Sequence, residues 1–412
     1  MAGRIVASAV RQAAAPGAAI NAPALGLYRR RRPDQTLAYQ IVHDWLATWL
    51  AQQDDQDRSV PAVVERELTS FLECGILAHG FARARCPDCT AEFLVAFSCK
   101  GRGICPSCTT KRMVATAAHL VDAVIPRVPM RQWVLSLPKR LRPALRADPI
   151  LATRVLRIFT DCIERRLHDS CAAPAVARPG AVSFLQRFGS ALNEHWHYHV
   201  CVSDGVFTDA SAGPVEFVPA LIDSPVDSAA VQARVRRRVL AAYRRRGWLN
   251  ADAAANMAQW EHGGGFSVDA SVAIHGNDRA GLERLLRYCA RPCWASERLA
   301  RASDGERLIV TLPKPARDGR CKVILTPLEL IDRLVRFIPA PRRHLHRYHG
   351  ALAPHCALRA RVVARAGRAM APSTSDDLAP RIGRGLCVFA QASQAPLEPV
   401  SVAPPKPAHR RG

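Results

Sequence analysis

The sequence predicts an α+β protein in which helices and a small cysteine module precede a mixed strand-and-helix domain. Three observations carry this. Apolar residues recur at helical spacing through 36–72, as in "TLAYQIVHDWLATWLAQQ". Six of the 14 cysteines fall between Cys74 and Cys108. Beyond them, short apolar and alternating runs are interleaved with helical segments.

Taken in order, residues 1–35 form an alanine-rich basic segment that ends in "YRRRRP". After the cysteines, "KRMVATAAHLVDAVI" has helical spacing and "RQWVLSLP" reads as a strand stopped by Pro138. Residues 148–169 read as a helix, followed by strands at Ala181–Phe188 and Trp196–Phe207. "VQARVRRRVLAAYRRRGWL" is a basic helix, and "AGLERLLRYCA" a shorter one stopped by Pro292. "ERLIVTLPK" and "GRCKVILT" flank an Asp318–Gly319 turn, which predicts a hairpin. Thr326, Pro327 and Glu329 supply a cap, a first-turn proline and a capping-box glutamate. These signals divide the 412 residues into 1–35, a helical and cysteine module at 36–125, a mixed domain at 126–350 and a basic tail of low order at 351–412.

The chain has 58 Lys+Arg against 35 Asp+Glu, a formal charge of +23. Such an excess favours a polyanionic partner, and nucleic acid above all. No run of 18 apolar residues suggests a membrane span, and the start lacks a compact apolar signal segment. The cysteines are therefore expected to be reduced, and closely spaced ones read as metal ligands. "CPDC" places Cys86 and Cys89 three apart, and "CPSC" does the same for Cys105 and Cys108, with fifteen residues between the pairs. This is the spacing of a four-cysteine zinc site; a redox pair is the alternative. Cys74, His79 and Cys99 read as bystanders, the cysteines buried for packing rather than ligating a second zinc. Lys100, Arg102, Lys111 and Arg112 decorate the module and suit phosphate contacts.

"NEHWHYHV" carries His195, His197 and His199 at alternate positions. On a strand such residues share one face about 7 Å apart. They are either packed and solvated histidines or ligands to a divalent ion. Tyr198 points to the other face. Tyr288 lies at the edge of the apolar stripe Leu282, Leu285, Leu286, Cys289, with Arg287 and Arg291 beside it. It is either a core-edge residue or a nucleophile for a metal-bound phosphate.

The order "CPDC…FSCKGRGICPSC", "QRFGSALN", histidine–bulky–histidine, "LLRYCARP" and "RYHG" resembles the IS-ninety-one family of rolling-circle insertion-sequence transposases over roughly residues 30–354. These are HUH-type nucleases. The resemblance implies an N-terminal zinc-binding segment with Cys86, Cys89, Cys105 and Cys108 as ligands. It implies a palm-like domain with a central antiparallel sheet flanked by helices. It also implies a catalytic Mg2+ or Mn2+ on His197 and His199, with Gln186 the favoured third ligand ahead of Glu283 and Asp204. Tyr288 matches the nucleophile that forms a 5′-phosphotyrosine with single-stranded DNA at element ends. A bacterial, cytoplasmic, nucleoid-associated enzyme follows from the same likeness. Two departures stand out. Some members carry two tyrosines four apart, but Arg284 and Pro292 occupy those places here, as in the single-tyrosine common-region type. The tail also lacks the further cysteine segment that relatives often carry. A non-catalytic zinc-dependent DNA-binding protein, a decayed copy, and a relaxase or replication initiator are the competing readings.

Overall fold

The structure is a computed structural model that describes residues 31–366 apart from 86–91, 172, 210–214 and 317. The segments expected to be flexible at either end lie mostly outside the described residues. Contacts divide the described chain into two units, one ending at Gly101 and one beginning at Arg102. The sequence-based boundary at 125/126 falls inside the second unit.

In the first unit, α1 (Leu37–Asp55) and α2 (Ala62–Glu73) precede the hairpin β1 (Phe81–Arg85) and β2 (Glu92–Ala96). Thr36 caps α1 by accepting from Tyr39 N (3.3 Å). Ile41, Val42, Trp49, Leu68 and Phe71 are the buried faces of the two helices. β1 and β2 pair antiparallel with Phe81 opposite Ala96.

The second unit contains α3 (Pro106–Ala123), β3 (Met130–Ser136), α4 (Arg142–Ala147) and α5 (Pro149–Asp169). β4 (Gly180–Phe188), β5 (Glu194–Ser203), β6 (Gly205–Thr208) and β7 (Glu216–Pro219) follow, then α6 (Ser224–Arg245) and α7 (Ala251–Gln259). The rest is β8 (Ser267–Ile274), α8 (Arg279–Cys289), β9 (Leu299–Arg301), β10 (Leu308–Thr311), β11 (Lys322–Leu325), α9 (Pro327–Val335), β12 (His346–Gly350) and α10 (Arg359–Val363). The last of these lies within the stretch expected to be a tail of low order. The expected hairpin is β10–β11, and Thr326 and Glu329 form the reciprocal capping box of α9. The single strand expected over 196–207 is two strands. β5 ends at Ser203, and at Asp204 the backbone N–H bonds Pro129 O (2.8 Å) before β6 leaves to pair with β7.

Five strands form the main sheet in the order β12–β4–β5–β3–β8, every neighbouring pair antiparallel. β5 is central. Its even-numbered residues Trp196, Tyr198, Val200 and Val202 pack on α5 and α6, against residues such as Val155, Phe159, Val235 and Val239. On the other face Cys201, with Val182 and Phe184 of β4, packs towards α3 and α8, against Leu120, Leu282 and Leu286. Because side chains alternate along a strand, the residues that secure the first layer leave their odd-numbered neighbours facing the second.

α3 and α8 are joined by buried Arg279, which donates to Val121 O, to Ile125 O (2.9 Å) and to Pro126 O (3.2 Å). Three carbonyls at the end of α3 thus depend on one guanidinium. Arg279→Met is expected to destabilise the protein by about 3 kcal/mol, since buried acceptors lose charged donors. Urea unfolding measures this, and an unchanged midpoint would show the contact to be inconsequential.

Candidate active site and metal centres

The sulfurs of Cys74, Cys99, Cys105 and Cys108 all lie within 4.8 Å of one another. Local structure explains each position. Gly75 N donates to Phe97 O (2.8 Å), and this closure brings Cys74 beside Cys99. Cys99 N donates to Cys74 Sγ (3.4 Å) and Gly101 N to Cys99 Sγ (3.2 Å), bonds that favour thiolate charge. Between them Lys100 adopts φ +52°, which makes a tight knuckle. Cys105 caps α3 and Cys108 lies in its first turn, where the positive end of the helix dipole also favours thiolates. Four convergent sulfurs suit tetrahedral zinc.

This cluster shares two cysteines with the expected set. Cys105 and Cys108 belong to it, but Cys74 and Cys99, expected as packing residues, are their partners. Cys86 and Cys89 lie outside the described residues. His79 sits in a short turn and is not one of the four. Of the expected DNA-contacting residues, Lys111 and Arg112 lie on α3, and Arg102 donates to Arg343 O.

His197 and His199 project from β5 onto the α8 side of the sheet. Their ring centroids are 4.9 Å apart, and His195 continues the row 4.8 Å from His197. His197 lies across from Gln186 of β4 and Ser136 of β3, and His199 across from Phe184 and Val134. Tyr198 points the other way, fully buried, with its hydroxyl donating to Ala152 O (3.0 Å). It is a core residue.

Tyr288 lies in the last turn of α8 with its ring edge-on to His199, at 5.5 Å and 89°. It is 48% exposed, so solvent and substrate can reach it. The Arg291 guanidinium lies over its ring at 4.9 Å and over Phe188 at 5.3 Å. Arg287 is engaged with Glu283 (2.6 Å). Gln186 links strand to helix: Nε2 donates to Tyr288 O (3.0 Å) and Cys289 O (2.8 Å), while Oε1 lies 3.1 Å from His197 Nε2. Asp204, a weaker ligand candidate, is instead clamped by Arg131 (2.6 Å).

Hydrogen-bond accounting tests whether these residues fit a cation. His197 Nδ1 is 3.0 Å from His195 O, which can only accept, so Nδ1 carries the hydrogen. The Nε2 lone pair then faces Gln186 Oε1, another acceptor, whose own NH2 group is committed elsewhere. Protonating His197 would relieve the repulsion, but burial, with smaller contributions from Arg291 and Arg142, pushes its pKa down to about 4. A divalent ion held by His197 and Gln186 would resolve the conflict. His199 leads to the same conclusion. Gln132 Nε2 lies 2.9 Å from His199 Nδ1 and 3.3 Å from Cys289 Sγ. Burial pushes the Cys289 thiol up to about 12, so it stays protonated. Whichever way the Gln132 amide is turned, His199 Nε2 is buried without a partner. Burial, followed by the neighbouring His197, pushes His199 down to about 3, so it too stays neutral. Two neutral imidazoles and an amide oxygen are a donor set that fits a divalent ion.

Gln132 escaped the sequence reading. Its signal was a lone amide in the apolar strand "RQWVLS", which is legible only once the strand's neighbour is known.

Two known families match parts of the chain. Residues 41–137 match the transposase zinc-binding domain of the IS91 type, and residues 180–359 match the transposase family Y2_Tnp. No curated protein and no solved structure matches the chain. Both matched families define a transposase, a protein that acts on DNA. Together the two matches support a transposase of the IS-ninety-one family. Among the described residues no helix is long and apolar enough to cross a membrane.

Cys74→Ser and Cys99→Ser are each expected to release zinc at a chelator concentration at least tenfold lower than the parent protein requires. A colorimetric zinc assay reads this out. Full retention in both variants would remove them from the ligand set.

Proposed function

We propose that this transposase cuts and rejoins single-stranded DNA at the ends of its element, with Tyr288 as nucleophile. The observation that carries this is the placement of an exposed tyrosine edge-on to His199, beside a pair of neutral, buried imidazoles whose hydrogen bonding is incomplete without a cation. His197, His199 and Gln186 would hold Mg2+ or Mn2+. A bound ion there supplies Lewis-acid neutralisation of charge on the phosphate.

The protein residues account for the remaining steps. Tyr288 Oη attacks the phosphorus of the scissile phosphodiester. The bond to the 3′ oxygen breaks, and the phenol's proton is balanced by the one taken up as that oxygen becomes a free 3′-OH. The 5′ end remains joined to Tyr288 as a phosphotyrosine. Attack on that phosphorus by another 3′-OH forms a new phosphodiester and returns the phenol. Arg291, stacked on the Tyr288 ring, places positive charge beside the transferring group. Arg287 is the second cation of this helix end. Lys100, Arg102, Lys111 and Arg112 accompany the zinc cluster and suit contacts to flanking phosphates. A single nucleophilic tyrosine per chain fits sequential transfers through a single covalent link.

A single-stranded oligonucleotide from the element's end, incubated with Mg2+ or Mn2+, should give a covalent adduct on a denaturing gel. Tyr288→Phe should abolish the adduct, and His197→Ala with His199→Ala should lower its rate at least ~100-fold. Tyr198→Phe should retain it. An adduct from Tyr288→Phe, or none from the parent protein, would overturn the mechanism, and the second outcome would favour a non-catalytic DNA-binding role.

A further inference from the structure

His195 is not used by this chemistry, yet it lies in line with the other two histidines and its Nε2 is buried without a partner. Its surroundings are basic. β3 runs antiparallel to β5 with Ser136 opposite His197, so the chain leaving β3 passes His195 and turns through Lys139–Leu141 into α4. Lys139 and Arg142 lie close enough for their charges to bear on the His195 ring. Arg142 is fixed by donating from Nε to Leu137 O (3.1 Å). Lys139, Arg142, Pro143, Asn193 and Glu194 line an open cavity of about 220 Å3. Glu194, the carboxylate of this lining, is already engaged by Arg146 (3.1 Å) and by Trp196 Nε1 (2.7 Å). Lys139 and Arg142 therefore line a cavity beside the end of the histidine row, and the one carboxylate in its lining is already paired.

We infer that this cavity is a subsite for a backbone phosphate of the single-stranded substrate next to the scissile one, contacted by Lys139 and Arg142. The inference rests on the proposed strand-transfer reading, because it takes the His197–His199 pair as the place of the scissile phosphate. A nucleic-acid backbone presents anions at regular intervals, and a cationic position one interval along the row fixes the register of the strand. Asn193 offers an amide to the same group, and Pro143 leaves the cavity without a competing donor. The subsite selects position rather than sequence, since phosphate contacts carry no base information.

The test uses the full-length zinc-loaded protein carrying Tyr288→Phe, so that binding is measured without cleavage. Oligonucleotides spanning the cleavage site carry one neutral methylphosphonate at each position in turn, and affinity is read by fluorescence anisotropy. One substitution next to the scissile phosphate should weaken binding about tenfold, the loss expected for charged hydrogen bonds. In Lys139→Gln with Arg142→Gln the same substitution should cost nothing further. That variant should also lower the slope of log affinity against log salt by about 0.7, the value for one single-strand phosphate contact. Losses that simply add at every position would overturn the subsite. Adduct formation by the Tyr288 parent is scored separately. An adduct with additive losses sinks the subsite alone, whereas no adduct sinks the catalytic reading and leaves the subsite to be judged on the coupling.

Discussion

The Gln186 side chain joins the two halves of the candidate active site. Its NH2 group holds the last two carbonyls of the tyrosine helix, and its oxygen meets the imidazole of His197. A helix ends with unpaired carbonyls, and a buried end must find donors for them. One amide fills that need and at the same time sets how far Tyr288 stands from the histidines. Its amide orientation is therefore fixed from the helix side, and its acceptor is turned inward by default. The pair of facing acceptors at His197 and Gln186 follows from that forced orientation.

The central place of β5 is the second constraint. A strand with partners on both edges and layers on both faces has no freedom to slip by one residue, because a slip would exchange Tyr198 and Trp196 for the histidines. The core under α5 and α6 thus fixes which side chains reach the reactive face. The burial that secures this register also keeps the imidazoles neutral, so folding and ligand readiness have a common cause.

Much of this could be read from local pattern. Alternation marked the histidine strand, the apolar stripe marked the helix of Tyr288, and the cap residues marked the start of α9. These signals are short-range, and each is encoded within a few neighbouring residues. What escaped depends on distant segments. Cys74 and Cys99 meet through the closure of the chain at Gly75 and Phe97, so no spacing in the sequence advertises them, whereas the two CxxC pairs are conspicuous. Gln132 looks like an ordinary strand residue until His199 is placed beside it. Asp204 looked like a ligand because it follows the histidines, but Arg131 occupies its carboxylate. Local periodicity reveals which face a residue takes, and only the tertiary register reveals what it meets there.

The clamp at Arg279 has a mechanical consequence. α3 is a rod of 18 residues, roughly 27 Å long. Its first turn carries two of the clustered thiols, its far end is fastened to the start of α8, and the last turn of α8 carries Tyr288. A rod that begins at the thiol cluster and is riveted at its far end to the helix of Tyr288 transmits position without contact. Zinc at the thiols would then steady a tyrosine that it never touches, and oxidation of those thiols would be felt as a misplaced phenol.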